Sequence, residues 1–266
     1  MNKLEEIRKY KVSVEVPERK KQVSIEKLKE ECKNREKTKS FRDALEFKGS
    51  IRIIAEVKKS SPSMEKEGVF REDFDPLEIA RTYQSNEVAA ISVITDEKFF
   101  KGSLSSLSRI RDIVDLPLLR KDFIIDPYQI YEARANGADS ILLIAELLSV
   151  DELKHFLSLA GELGMECLVE AHSEEELRKV LETPANIIGI NNRDLTTFKT
   201  NIDTTFRLKS MIQTGKIVVS ESGISSRKDV ERFLEEDINA ILVGRTLMES
   251  PDIAQKLCEL LGKTEG

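Results

Sequence analysis

The chain has 266 residues, of which 40% are hydrophobic and 34% charged, with a formal net charge of −6. This length suits one large α/β domain or two small ones, and no uncharged apolar run approaches the ~20 residues that a bilayer crossing needs. The acidic balance disfavours broad nucleic-acid binding, and two histidines are too few for a His-rich metal site.

Residues 1–50 carry LEEIRKYKVSVEV and SIEKLKEECKNREKT, charged segments with Leu, Ile and Val at helical spacing. They predict one or two extra helices packed on the rest of a single domain spanning residues 1–266. MNKLEEIRKY contains no apolar stretch of signal-peptide type, so a cytoplasmic location is expected. Cys32, Cys167 and Cys258 have no C-x-x-C or His cluster beside them and are expected to be reduced packing residues.

From residue 51 a regular series begins. IRIIAEV, VAAISVI, LPLLRKDF, DSILLIAE, MECLVEA, NIIGIN, KIVVSES and NAILVG are short and nearly continuous apolar runs, as parallel strands buried on both faces require. Between them lie segments of helical period, from DPLEIARTYQ to SRKDVERFLEE. Gly137, Gly164 and Gly215 fall where helices should stop. Eight alternations predict a (β/α)₈ barrel; a doubly wound open sheet lacks support, since no G-x-G-x-x-G follows the first strand.

In such a barrel the chemistry sits at the C-terminal ends of the strands. The first run ends in EVKKSSPS, and alternation sets Glu56 and Lys58 on one side, the inward one, with Ser61 and Pro62 following in the loop. Lys121 ends the third run, Glu170 the fifth, and Asn191 and Arg193 lie at the end of the sixth. The seventh offers Glu221, Ser222 and Gly223, and the eighth Gly244 and Arg245. Loops after strands seven and eight often take phosphate in this fold, and the small residues of SESGIS and VGRT would let backbone approach an anion. His172 stands two residues after Glu170, and a surface role is expected for it.

These residues resemble the indole-3-glycerol-phosphate synthase family of tryptophan biosynthesis. The matching pieces run in order: IIAEVKKSSPS, REDFDP, ISVITDEKFFKGS, LRKDFIIDPYQIYEARANGAD, LVEAH, GINNRDL, VSESGIS and LVGRTLM. The resemblance implies a single (β/α)₈ barrel with an N-terminal segment. The implied reaction is closure of a pyrrole ring on 1-(2-carboxyphenylamino)-1-deoxyribulose 5-phosphate, with loss of carbon dioxide and water. It casts Lys121 as general acid for the ketone oxygen, Glu170 as the group moving protons in dehydration, and Lys58 as the contact for the substrate carboxylate. Glu56 and Asn191 orient these groups, while Ser222 and Gly223 line the phosphate end with Gly244. Arg193 is a further site residue, and Phe100, Phe123 and Phe198 form the apolar wall. No metal or organic cofactor is implied; the implied partner is a phosphorylated small molecule, with no nucleic acid or membrane, and the expected state is a monomer. The loop after Ser63 is longer than the family's. Arg245 stands where the family has a small or acidic residue, facing phosphate or solvent. Ala171 replaces a commoner β-branched residue beside Glu170.

Chemistry independent of the resemblance agrees. Attack on a ketone builds negative charge on oxygen, which an ammonium can neutralise and protonate. A second lysine nearby is expected to lower the pKa of the first. A sugar-phosphate isomerase would instead pair an aspartate or cysteine acid and base, and a Schiff-base aldolase would use Lys121 covalently.

Overall fold

The computed structural model describes residues 3–46, 49–62, 68–194 and 199–263. Each apolar run contains one strand: β1 (Arg52–Val57), β2 (Ala90–Ile94), β3 (Leu118–Lys121), β4 (Ser140–Ile144), β5 (Glu166–Ala171), β6 (Ile187–Asn191), β7 (Ile217–Glu221) and β8 (Ala240–Val243). All neighbours pair in parallel, and β1 pairs with β8 through Arg52 opposite Ala240, which closes the barrel. The strands are buried almost throughout because side chains on one face fill the barrel and those on the other meet the helices.

Most of the helices begin where short polar side chains accept the unpaired backbone N–H groups of the first turn. Before the barrel come α1 (Lys3–Tyr10), α2 (Val16–Gln22), α3 (Ile25–Lys33) and α4 (Phe41–Leu45). In the barrel, Asp75 opens α5 (Pro76–Ser85), and Ser103 opens α6 (Leu104–Arg111). Asp126 opens α7 (Pro127–Ala135), and Ser149 opens α8 (Val150–Glu162) with a reciprocal capping box to Glu152. Then follow α9 (Glu174–Leu181), α10 (Asp203–Lys209) and α11 (Arg227–Glu235), the last with a second capping box between Ser226 and Asp229. Gly137 and Gly164 follow α7 and α8 with φ of +85° and +76°, the left-handed conformation that ends a helix cheaply only at glycine. Past the last strand, where the eighth alternation calls for a helix that no quoted segment supplied, come the short α12 (Arg245–Met248) and the amphipathic α13 (Ile253–Leu261), which packs on α11 and α5. The three cysteines are free.

The N-terminal segment holds more structure than its composition suggests. Pro17 cannot donate to a carbonyl one turn back, and the preceding turn, Lys11–Glu15, widens into a π-helix in which Val16 N–H reaches the Lys11 carbonyl. The wide turn joins α1 to α2 and carries buried Lys11 and Glu15 on its inner face. Helix α3 lies along α7, with Val16, Leu28 and Cys32 packed against Tyr128 and Ala135. Helix α4 plugs fully buried Phe41 and Leu45 against the barrel beside β1 and β2. No helix among the described residues is long and apolar enough to cross a membrane.

Candidate active site

Parallel pairing aligns the strand ends, so inward side chains at the last turn of several strands converge. Lys121 lies opposite Ile94 of β2, Glu170 opposite Ile144 of β4, and Glu221 opposite Asn191 of β6. They meet at the mouth of the barrel around a cavity of about 360 Å³. Glu56, Lys58, Ser61, Pro62, Phe100, Lys121, Phe123, Glu170, Asn191, Arg193, Ser222, Gly223, Gly244 and Arg245 all line it. Phe198 and the segment 63–67 lie outside the described residues.

Lys121 is the hub. Its Nζ stands 3.3 Å from Glu221 Oε2, 3.7 Å from Glu170 Oε2 and 3.8 Å from Glu56 Oε1. Burial opposes the charge on this amine, but Glu221, then Glu170 and Glu56, outweigh it and raise its pKa well above the ordinary lysine value. The sequence-based expectation of a lowered pKa is therefore overturned. Lys58 does not act on Lys121 as a lone like charge, because its ammonium is bound 2.5 Å from Glu56 Oε2. Burial likewise opposes ionisation of Glu56, yet Lys58 and Lys121 together lower its pKa.

Glu221 behaves in the opposite way. Burial, helped by the charge of Glu170, outweighs Lys121 and pushes its pKa up to about 8. Among the described residues, neither carboxyl oxygen of Glu221 has a hydrogen-bond partner beyond the 3.3 Å ion pair with Lys121. Sequence reasoning placed Glu221 at this rim but gave it no role. The signal was present: Glu221 closes an apolar run at the same strand-end position as Lys121 and Glu170.

The other groups are held by their neighbours. Asn191 Nδ2 donates to Glu170 Oε1 at 3.1 Å, and its Oδ1 accepts from Arg193 N–H at 3.0 Å. The buried Tyr83 hydroxyl donates to the Glu56 carbonyl, fixing the end of β1. Phe100 and Phe123 tilt against each other with ring centroids 5.9 Å apart, forming an apolar wall. Phe70, from the stretch after the first strand, lies 5.7 Å from both Lys58 Nζ and Arg245 Cζ, within cation–π range.

On the side of strands seven and eight, Ser222 and Gly223 both take positive φ, +69° and +80°. Asn192 holds this bend by donating to the Ser222 carbonyl, and Thr246 Oγ1 donates to the Ile224 carbonyl, tying the β7 and β8 loops together. The Glu56–Lys58 pair packs directly on Gly244, where a Cβ would stand 2.2 Å from Glu56 Oε2 and 2.9 Å from Lys58 Nζ. Arg245 lines the cavity with its side chain 39% exposed, and its charge, after burial, helps lower the pKa of Arg193. Two guanidiniums that repel each other at one end of a cavity suit an anionic group.

His172 lies off the cavity, as expected, because β5 ends at Ala171 and the chain leaves the strand before alternation could return it to the side of Glu170; it is not a free surface group. Its Nδ1 lies 2.8 Å from Glu176 Oε2, and the side chain is 20% exposed.

A closed (β/α)₈ barrel with two lysines and three glutamates gathered at its mouth defines an acid–base barrel enzyme. The indole-3-glycerol phosphate synthase family model matches residues 4–260, and the chain belongs to that family. It is 53% identical to the indole-3-glycerol phosphate synthase of Dehalococcoides mccartyi strain CBDB1, over 82% of this chain and 85% of that protein. It is 47% identical to that of Alkaliphilus metalliredigens, over 97% of both. Among solved structures, a chain of the tryptophan synthase α2β2 complex from Pyrococcus furiosus aligns with a TM-score of 0.57 at 19% identity, covering 81% of this chain and 99% of that one. That likeness shows the shared barrel fold.

Proposed function

We propose that this enzyme converts 1-(2-carboxyphenylamino)-1-deoxyribulose 5-phosphate to indole-3-glycerol phosphate, with Lys121 as the general acid of ring closure. The observation that carries the assignment is the Lys121 ammonium at the centre of the mouth, within 4 Å of Glu221, Glu170 and Glu56. The ring carbon bearing the carboxylate attacks the ketone, and the ketone oxygen takes the Lys121 proton as its charge develops. Carbon dioxide then leaves and restores the aromatic ring. The new hydroxyl departs as water, with Glu170, oriented by Asn191, moving the protons of that step. Lys58, held by Glu56, receives the substrate carboxylate, and Phe100 and Phe123 flank the aromatic ring, with Phe198 assigned to the same wall. The phosphate goes to the backbone of the Ser222–Gly223 bend and the Gly244 loop, with Arg245 and Arg193 as nearby cations. Ser61 and Pro62 complete the rim above Lys58. We read the protein as a cytoplasmic monomer, one domain with residues 1–50 as its extension, acting on a small phosphorylated substrate rather than nucleic acid or membrane.

The held charge on Lys121 weighs against the aldolase alternative, because Schiff-base formation needs a neutral amine. Incubation with the carboxyphenylamino substrate should yield indole-3-glycerol phosphate and carbon dioxide in equal amounts, and borohydride should trap no covalent adduct. Capture of a reduced adduct at Lys121, or turnover without carbon dioxide, would refute the reading.

A further inference from the structure

The side chain of Lys11, in the N-terminal segment, is fully buried, and its ammonium meets three carboxylates from different parts of the chain. Its Nζ lies 2.7 Å from Asp122 Oδ1, 2.8 Å from Glu15 Oε1 and 3.0 Å from Asp96 Oδ2. Asp122 directly follows Lys121, and its Oδ1 also accepts the Phe123 N–H at 2.8 Å. Its Oδ2 takes the Thr95 hydroxyl at 2.5 Å and an Arg120 N–H at 3.1 Å. Asp96 Oδ1 accepts the N–H groups of Phe99 and Phe100 at 2.7 and 3.1 Å. One ammonium thus fixes two carboxylates, the first tying down the backbone beside Lys121, the second shaping the turn that carries Phe100.

We propose that Lys11 is a positioning residue for catalysis, aligning Lys121 and Phe100 through Asp122 and Asp96. The inference rests on the reading of Lys121 as the acid, and it adds a residue that touches no substrate. Reacting groups tolerate little displacement, since a shift of about 1 Å can cost ~10²-fold in rate. Without Lys11, Asp122 keeps Arg120 and Thr95 but loses its link to the N-terminal segment, while Asp96 loses the one cation it pairs with among the described residues.

The test is steady-state and single-turnover kinetics of Lys11→Met, with circular dichroism to establish the folded fraction. The expected result is a fall in kcat of about ten-fold or more with KM changed less than about three-fold, since misalignment affects the reacting centre more than binding. Tyr128→Phe serves as the control: its hydroxyl ties the same segment to α7 through the Arg19 and Val23 carbonyls, each at 3.0 Å, and does not contact Asp122. That variant should lose stability and keep kcat. The double variant Lys11→Met/Lys121→Ala should lose clearly less than the product of the two single losses, because Lys11 acts in part through Lys121. Parental kcat in folded Lys11→Met, an equal kcat loss in Tyr128→Phe, or additive losses in the double variant would each overturn the proposal. Should Lys11→Met not fold, Thr95→Val removes another donor from the same carboxylate, and parental kcat there overturns it equally. Near-parental turnover by Lys121→Ala alone would instead refute Lys121 as the acid, and the positioning role with it.

Discussion

A lysine ringed by three carboxylates holds its proton tightly, so the proposed role of Lys121 as acid needs a way to release that proton when the ketone oxygen becomes negative. Under that proposal Glu221 supplies one. Burial and Glu170 set its pKa at about 8, so below that value it is largely protonated and pulls less on the Lys121 ammonium. Above that value it ionises and strengthens the ion pair. Turnover should therefore decline as pH rises through about 8, and Glu221→Gln, which cannot ionise, should lose that alkaline limb; an unchanged limb in the variant would assign the titration elsewhere. Stability follows the same group. Its pKa is raised in the folded state, so its contribution is complete below the ordinary carboxylate value of about 4.5 and is lost as pH rises through about 8. Thermal melts of Glu221→Gln against the parent should thus favour the variant more at pH 9 than at pH 6. For Lys58, Lys58→Met should weaken carboxylated substrate analogues more than decarboxylated ones. Equal losses in a binding titration would move Lys58 to the phosphate or the ketone.

The loops after β7 and β8 are short, bent and tied to each other through Thr246, which suits them to bind without moving. Ser222→Ala should raise KM more than it lowers kcat, since phosphate contacts hold ground and transition states alike. A fall in kcat at constant KM would place Ser222 with the reacting groups. Gly244→Ala should be worse, because the new Cβ collides with the buried Glu56–Lys58 pair. The pair would have to shift to make room, so both kcat and melting temperature should drop; an unaffected variant would mean that the pair shifts freely. Strands were legible in the sequence because doubly buried parallel strands are nearly continuous apolar runs, and most helices because Asp, Ser and Pro mark their starts. The π-turn was not legible, since Pro17 signals an interruption but not the widening before it. Nor was the burial of Lys11 and Arg120. A fully buried cation has the same letter as a surface one, and only pairing across more than a hundred residues, as between Lys11 and Asp122, distinguishes them.

Across the whole molecule, eightfold alternation dictates closure, closure aligns the strand ends, and aligned ends bring Glu56, Lys121, Glu170 and Glu221 to one point from four separate strands. The same geometry explains which part of the site could be read early. Strand-end position and parity located the charged groups, but the direction of each pKa shift depends on how many carboxylates surround one ammonium, which no linear spacing encodes. The N-terminal helices complete the design by packing along α7 and plugging the barrel with α4. The central claim is that this barrel closes an indole ring with a proton from Lys121. Single-turnover formation of indole fluorescence tests it most directly, against a low background because the chain contains no Trp. The parent should give one indole per site from the carboxyphenylamino substrate. Lys121→Ala should be at least about a hundred-fold slower, the scale of a lost general acid, and Lys121→Arg should not recover it, because a guanidinium does not surrender its proton. No indole signal from the parent, or near-parental rates in either Lys121 variant, would contradict the account.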